Sequence, residues 1–283
     1  MSKIEIIGAS GFLGTKLYSM LGEDHEISGT YNINRRENLH KLDITDREAV
    51  ISFIKKQNPK VVIHTAALSD ADKCETDREE AERINHIGTR NIVEACRETD
   101  SKLVYISTVY VFDGERGNYT ELDDLKSVNF YGETKIRAEK EVETLQNSVI
   151  IRFDILYGFN GHDRNNGFFS KVIKGNGVQV NKDQKRQPLL VDDVGTFIGK
   201  VLPYDQRGAF HLAGPHTLTK YELGLRLERV VREGYELIPI PEKQQVARRP
   251  LNVSIDTLKA RSLGMAFHDI EDGIKLIEGQ YFS

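Results

Sequence analysis

Lys3-Ile-Glu-Ile-Ile7-Gly8-Ala-Ser-Gly11-Phe-Leu-Gly14 is the stretch that decides the fold. A short apolar run stops at Gly8, and two more glycines follow at three-residue intervals. Leu13, Leu17, Tyr18 and Leu21 then recur at helical spacing. Strand, glycine turn, helix is the context that a phosphate-cradling loop requires. Gly8 permits a tight turn, Gly11 lets the backbone approach a pyrophosphate, and Gly14 allows helix and strand to pack closely. The helix N-terminus adds partial positive charge. Ser10, Phe12 and Leu13 share that loop and first turn, so this segment is expected to hold a dinucleotide.

Working outward, residues 25–31 read as a second strand. An acid at its end would take the ribose hydroxyls of NAD, but the residues there are Thr30-Tyr31-Asn32, with Arg35 and Arg36 close behind. Two guanidiniums and no acid suit a 2′-phosphate, so NADP(H) is the preferred cofactor and NAD(H) the alternative. A helix over 46–57, capped by Thr45 or Asp46, leads to an apolar strand over 60–64 that empties into Thr65-Ala66-Ala67. Small residues at a strand's carboxyl end leave room for a flat cofactor. A long helix over 77–98 follows, with Asn85 interrupting its apolar side. That amide is either satisfied in the core or supports Lys135 through water. Strands over 102–106 and 149–152 flank a helix over 130–145. This alternation predicts an α/β fold, a doubly wound parallel sheet with helices on both faces.

Past Gly158 the regularity breaks. Residues 159–167 and 181–188 are polar loops, and 168–174, 191–201, 219–232 and 270–278 read as helices, with Thr219 and Glu222 forming a capping box. The expected organisation is a dinucleotide-binding domain over 1–154 and mainly a substrate-binding lobe over 155–283, with the helix near 191–202 returning to the first domain.

At 283 residues, with 39% hydrophobic and 29% charged residues, the chain is of ordinary globular composition. Its net charge of −4, without a long basic block, argues against nucleic acid or a membrane surface as partner. Cys74 and Cys96 have no metal-ligand spacing and read as reduced thiols of a cytoplasmic protein. The histidines show no such spacing either, so no protein-bound metal is expected.

The chemistry points to Tyr131-Gly-Glu-Thr-Lys135. Tyr131 and Lys135 share one helix face, one turn apart, so the ammonium is expected to depress the phenol. Thr108, at the carboxyl end of the 102–106 strand, is placed where ligands of such sheets gather. The catalytic candidates are Thr108, Tyr131 and Lys135.

Together, Gly8-x-x-Gly11-x-x-Gly14, Ala66-Ala67, Asn85, Thr108 and Tyr131-x-x-x-Lys135 resemble the extended short-chain dehydrogenase/reductase family. Within it, Ala66-Ala-Leu-Ser-Asp-Ala-Asp72-Lys73-Cys-Glu75, Ser107-Thr-Val-Tyr-Val-Phe-Asp-Gly114, Asp183-Gln184 and Arg248-Arg249-Pro250 are similar to dTDP-4-dehydrorhamnose reductases. The resemblance implies a Rossmann fold and NADP(H)-dependent reduction of a nucleotide-linked 4-keto-6-deoxyhexose. In that reaction Tyr131 gives the proton, Lys135 binds the nicotinamide ribose and Thr108 holds the keto oxygen. It also implies cofactor contacts at Asp43, Ile44, Ala66 and Ala67, substrate contacts at Ser69, Thr108, Val109, Tyr131 and Arg186, and assembly as a homodimer. Arg186 would meet a nucleotide diphosphate or stand as a solvated loop charge; Asp70 and Asp72 would touch the sugar or cap the following helix. The chain departs from these reductases at Val109, at Arg186 and across Arg152-Phe153-Asp154-Ile155. The run Arg152-x-x-Ile155-Leu-Tyr-Gly158 is similar instead to the regulatory β subunit of methionine adenosyltransferase, which implies an NADP-binding protein without turnover.

Overall fold

The computed structural model describes residues 1–160, 178–203, 205–227, 236–241 and 245–282. Seven strands form one parallel sheet: β1 (Lys3–Ile7), β2 (Glu26–Tyr31), β3 (His40–Lys41), β4 (Val61–His64), β5 (Lys102–Ile106), β6 (Ser148–Arg152) and, after the short strands described below, β11 (Gly208–His211). Their order is β11-β6-β5-β4-β1-β2-β3. The chain starts in the middle, builds outward through β2 and β3, then returns to lay β4 on the other side of β1. The order therefore reverses between β1 and β4, and ligands of doubly wound sheets lodge in the crevice beyond the strand ends at such a point.

Period-two alternation gives the central strands β1, β4, β5 and β6 two buried faces. Ile4, Ile6, Val61, Ile63, Val104, Val149 and Ile151 pack on one side, against α1 (Phe12–Leu21) and α7 (Val191–Val201). Ile7, Val62, Leu103, Tyr105 and Ile150 pack on the other, against α2 (Arg47–Gln57), α5 (Gly88–Thr99) and α6 (Phe130–Glu143). Asp46 is the N-cap of α2, accepting from Ala49 N. Helix α7 packs on the sheet through Val194, Phe197 and Ile198.

The expected single helix over 77–98 is instead a chain of shorter pieces. An unforeseen α3 (Ala71–Thr76) comes first, then α4 (Arg78–Ala81), a π-helical turn Glu82–Ile87, and α5. Asp77 interrupts the path by capping α4 through Glu80 N. The remaining chain forms three short strand pairs. β7 (Leu156–Tyr157) lies beside β10 (Leu189–Leu190), β8 (Val178–Asn181) beside β13 (Leu237–Ile240), and β9 (Lys185–Arg186) antiparallel to β12 (Leu218–Thr219). With α8 (Lys220–Leu227) and α9 (Ile270–Phe282) they enclose a separate apolar cluster around Tyr157, Leu190, Leu223 and Ile274. The capping box forms reciprocally, with Thr219 N donating to Glu222 and Glu222 N donating to Thr219 Oγ1. The helix expected over 168–174, most of the loop over 159–167 and the end of the helix expected over 219–232 lie outside the described residues. Both cysteines are buried and unpaired. No helix among the described residues is long and apolar enough to cross a membrane.

Glu5 is an anomaly in the middle of β1. It is fully buried, accepts a hydrogen bond from Ser28 Oγ, and burial raises its carboxyl to about 7. Its contribution to stability is fully present below the unfolded value and is lost as pH rises through about 7. Glu5→Gln is therefore expected to gain on the unaltered protein by about 2 kcal/mol between about pH 5 and about pH 8. Urea midpoints at the two pH values check this; parallel pH dependence of the two proteins would contradict it.

Candidate active site

The glycine loop is built as its spacing demands. Gly8 has φ +88°, in the left-handed region that favours glycine. A Cβ on Gly14 would lie 2.3 Å from Gly8 O, so only glycine lets α1 come this close to β1. Gly11, without a side chain, stands at the N-cap of α1, which leaves the first-turn N–H groups available to an anion. Phe12 and Leu13 put their side chains against the core, so they can offer a ligand only backbone, and Ser10 is buried beside them. Ala66 comes up against the loop, because a Gly8 Cβ would be 2.8 Å from Ala66 N; this is the switch-point crevice. The segment Ala66–Leu68 is held by Asn85, whose side chain accepts from Leu68 N (2.8 Å) and donates to Leu68 O (3.0 Å) and Thr134 Oγ1 (3.1 Å). Asn85 is thus the satisfied amide, bracing the crevice wall against α6.

Beyond β2, a cavity of about 600 Å³ is lined by Ala9, Thr15, Tyr18, Ser19 and residues 36–39. Arg36 is part of that lining, while Arg35 is exposed nearby. Asp43 spends one oxygen on Thr45 N (2.9 Å) and Thr45 Oγ1 (2.8 Å). Ile44 is buried, its carbonyl taking Asn91 Nδ2 (2.9 Å). The loop, the first turn of α1, the small residues at the end of β4 and Arg36 together fit a dinucleotide carrying an extra phosphate.

Thr108, Tyr131 and Lys135 meet beyond the end of β5. Asn129 caps α6 through Gly132 N (2.9 Å), which sets the helix so that Tyr131 faces the strand end. Its phenol is paired with the Thr108 hydroxyl, and its ring packs edge-on to Tyr110, centroids 5.8 Å apart. Thr108 Oγ1 also accepts from Tyr110 N (3.2 Å), which turns the backbone after β5. Lys135 Nζ donates to Ile106 O (2.8 Å) and lies 4.1 Å from the Tyr105 ring centroid. Burial pushes this ammonium down to about 7, with Glu139 pulling the other way. Burial also holds the Tyr131 phenol well above its usual value, with Cys74 adding to the rise and Thr108 acting against it. The expected depression of the phenol by Lys135 does not occur: burial raises the phenol, and the Lys135 ammonium donates instead to Ile106 O. The consequence is chemical, since a phenol held high stays protonated and can serve as a proton donor.

Three residues expected near the substrate are placed as follows. The Val109 side chain is fully buried in an apolar cluster with Val111, Phe112 and Val253, and it offers a ligand no surface. Arg186 is no solvated loop charge, because it is the largest fully buried side chain. Its Nη2 donates to Gln184 Oε1 (2.9 Å), its guanidinium lies 5.1 Å from the Tyr110 ring centroid, and Nη1 is 3.9 Å from Asp154 Oδ2. Asp72 neither caps α3 nor stands free for a sugar. It accepts from Ala247 N and Arg249 Nη1 (both 2.8 Å), tying the Ala247–Pro250 segment to α3, while Asp70 does the capping. Ser69 remains exposed just before α3.

Sequence reasoning passed over Tyr110, Asp154 and Arg249. Tyr110 lies beside Arg249 and sits between Arg186 and Tyr131. Asp154, two residues past β6, has its carboxyl raised by burial and acts on the Tyr131 phenol. The departure at residues 152–155 was the available signal.

Among solved structures, a hypothetical dTDP-4-dehydrorhamnose reductase from Sulfolobus tokodaii superposes with a TM-score of 0.84 at 34% identity, over 95% of this chain and 98% of that one. The dTDP-4-dehydrorhamnose reductase of Bacillus anthracis in complex with NADP gives 0.86 at 27% identity, over 98% of both chains. Methionine adenosyltransferase 2 subunit beta of Rattus norvegicus is 30% identical over 277 residues, 93% of this chain and 83% of that protein. Residues 2–277 match the family described as the RmlD substrate binding domain. With the seven-stranded parallel sheet and the Thr108–Tyr131–Lys135 grouping, this chain belongs to the RmlD substrate binding domain family of extended short-chain dehydrogenases/reductases.

Proposed function

We propose that the protein is an NADP(H)-dependent reductase of a nucleotide-linked 4-keto-6-deoxyhexose, with dTDP-4-dehydro-L-rhamnose as its substrate. The observation that carries this reading is the grouping of Thr108 and Tyr131 at the end of β5, with Lys135 anchored to Ile106 O behind them. Residues 1–154 hold the cofactor and the bulk of 155–283 closes over the sugar. When bound, NADPH supplies the hydride. Tyr131, kept protonated by burial, delivers its proton to the 4-keto oxygen, and Thr108 donates a hydrogen bond to that oxygen as charge develops on it. Lys135 binds the nicotinamide ribose and places its ammonium beside the phenolate left when Tyr131 gives up its proton. The loop from Gly8 to Gly14 holds the pyrophosphate, with the small residues Ala66 and Ala67 making room beside it.

Arg36, in the lining of the cavity beyond β2, and Arg35 beside it read the 2′-phosphate. Replacing both by alanine is expected to weaken NADPH by about tenfold or more while changing NADH little. Titration of each nucleotide checks this, and equal losses would remove the two arginines from that role.

The test of the function is oxidation of NADPH by the purified protein given dTDP-4-dehydro-L-rhamnose, set beside UDP- and GDP-linked 4-keto sugars. Rapid oxidation with the thymidine-linked substrate is expected. A second reading is a cofactor-bound subunit without turnover, suggested by the likeness to a protein named as a subunit of methionine adenosyltransferase 2. Tight NADPH binding with no oxidation by any of these sugars would favour it.

A further inference from the structure

The polar inventory around Arg186 is incomplete. Its Nε and Nη1 find no hydrogen-bond partner among the described residues, nor does Asp154 Oδ2, although all three atoms are buried. A buried guanidinium and carboxylate left this way lose what water would have given them. Nη1 and Oδ2 are 3.9 Å apart, too far for a direct hydrogen bond. That gap is the right width for one oxygen, since an atom about 2.8 Å from each would accept from the guanidinium and donate to the carboxylate. Only a hydroxyl or water can do both. A phosphoryl oxygen drawn to Nη1 would meet Asp154 as like charge against like.

The pair lies on the reacting side of the crevice. Val109 N donates to Phe153 O (3.1 Å), which sets Asp154 beside the backbone that carries Thr108. Gln187 N lies beside the Asp154 carboxyl, which brings the segment after β9 near the end of β6. Tyr110 lies between the guanidinium and the Tyr131 ring. Resting on the proposed function, we infer that Asp154 and Arg186 form the seat for a ring hydroxyl of the hexose beside the reacting carbonyl, with Arg186 Nε free to take the neighbouring oxygen. The pair then selects the sugar, and the nucleotide diphosphate is held elsewhere.

The test is calorimetric titration of the full-length protein saturated with NADPH, where dTDP-L-rhamnose can bind but cannot be reduced. The ligands are dTDP-L-rhamnose, its 2-deoxy and 3-deoxy analogues, and dTDP. The 3-deoxy analogue is expected to bind about 10–100-fold more weakly than the parent. Asp154→Asn is expected to shrink that gap to about threefold or less, with dTDP and NADPH affinities unchanged. The ligand series on the unaltered protein needs no variant to fold. Deoxy analogues that bind as tightly as the parent would overturn the inference. So would Asp154→Asn weakening dTDP as much as dTDP-L-rhamnose. A protein that binds NADPH but neither dTDP nor dTDP-L-rhamnose would contradict the functional reading itself, and the seat with it.

Discussion

Tyr131→Phe is expected to lower turnover by about 10²–10⁴-fold while leaving NADPH affinity nearly unchanged. The change removes one oxygen and little else. The ring can keep its edge-on contact with Tyr110, and the helix keeps its Asn129 cap and the bond from Thr134 Oγ1 to Tyr131 O. What disappears is the proton, since Thr108 has no acidity to replace it and Lys135 is turned toward Ile106 O. Single-turnover oxidation of NADPH with saturating sugar nucleotide isolates the step. Turnover within about tenfold of the unaltered protein would take Tyr131 out of proton transfer.

The second large effect concerns stability. Glu139 sits one turn beyond Lys135 on α6 and is fully buried. It accepts from Arg152 Nε (3.0 Å) and Nη2 (2.7 Å) and from Ser107 Oγ. Arg152 in turn lies over the Phe112 ring and reaches His211 Nε2 at 3.4 Å, beside which burial and this cation push His211 down to about 3. Glu139→Ala would leave Arg152 charged, buried and unpaired, an arrangement that costs about 3–5 kcal/mol. Replacing both, Glu139→Leu with Arg152→Met, is expected to recover most of that loss, because apolar groups of similar size need no partner. Denaturant midpoints at neutral pH check both expectations. A Glu139→Ala protein as stable as the original would mean that Arg152 finds another counter-charge. Glu139 also holds the Lys135 ammonium up against burial, so its loss would reach the active site through that residue.

Much of the fold was legible because its signals are local. The glycines at 8, 11 and 14 each answer a demand made within one strand, one turn and one helix. The Thr219–Glu222 capping box likewise needs only its own residues. The site was legible for the same reason up to α6: Tyr131 and Lys135 are one turn apart, and Thr108 ends a recognisable strand. What stayed hidden depends on partners distant in the chain. Arg186 could be read as a diphosphate contact or as a solvated loop charge, and its burial follows from Tyr110, Asp154 and Gln184 closing around it. The Lys135–Tyr131 electrostatics were read with the right residues but the wrong balance, since spacing reveals a neighbouring charge and not the loss of water. The π-helical turn was also hidden. Its wider winding places Asn85 against Leu68 and Thr134, a tertiary requirement that periodicity does not carry.

The most direct test of the central claim follows the hydrogen itself. The protein is incubated with dTDP-4-dehydro-L-rhamnose and NADPH deuterated at its transferable position, and the sugar product is examined by NMR. Deuterium bound to C4 of dTDP-L-rhamnose, formed by the unaltered protein and lost with Tyr131→Phe, is the predicted result. Unlabelled sugar recovered unchanged, from a protein that binds NADPH and the substrate, would contradict the account.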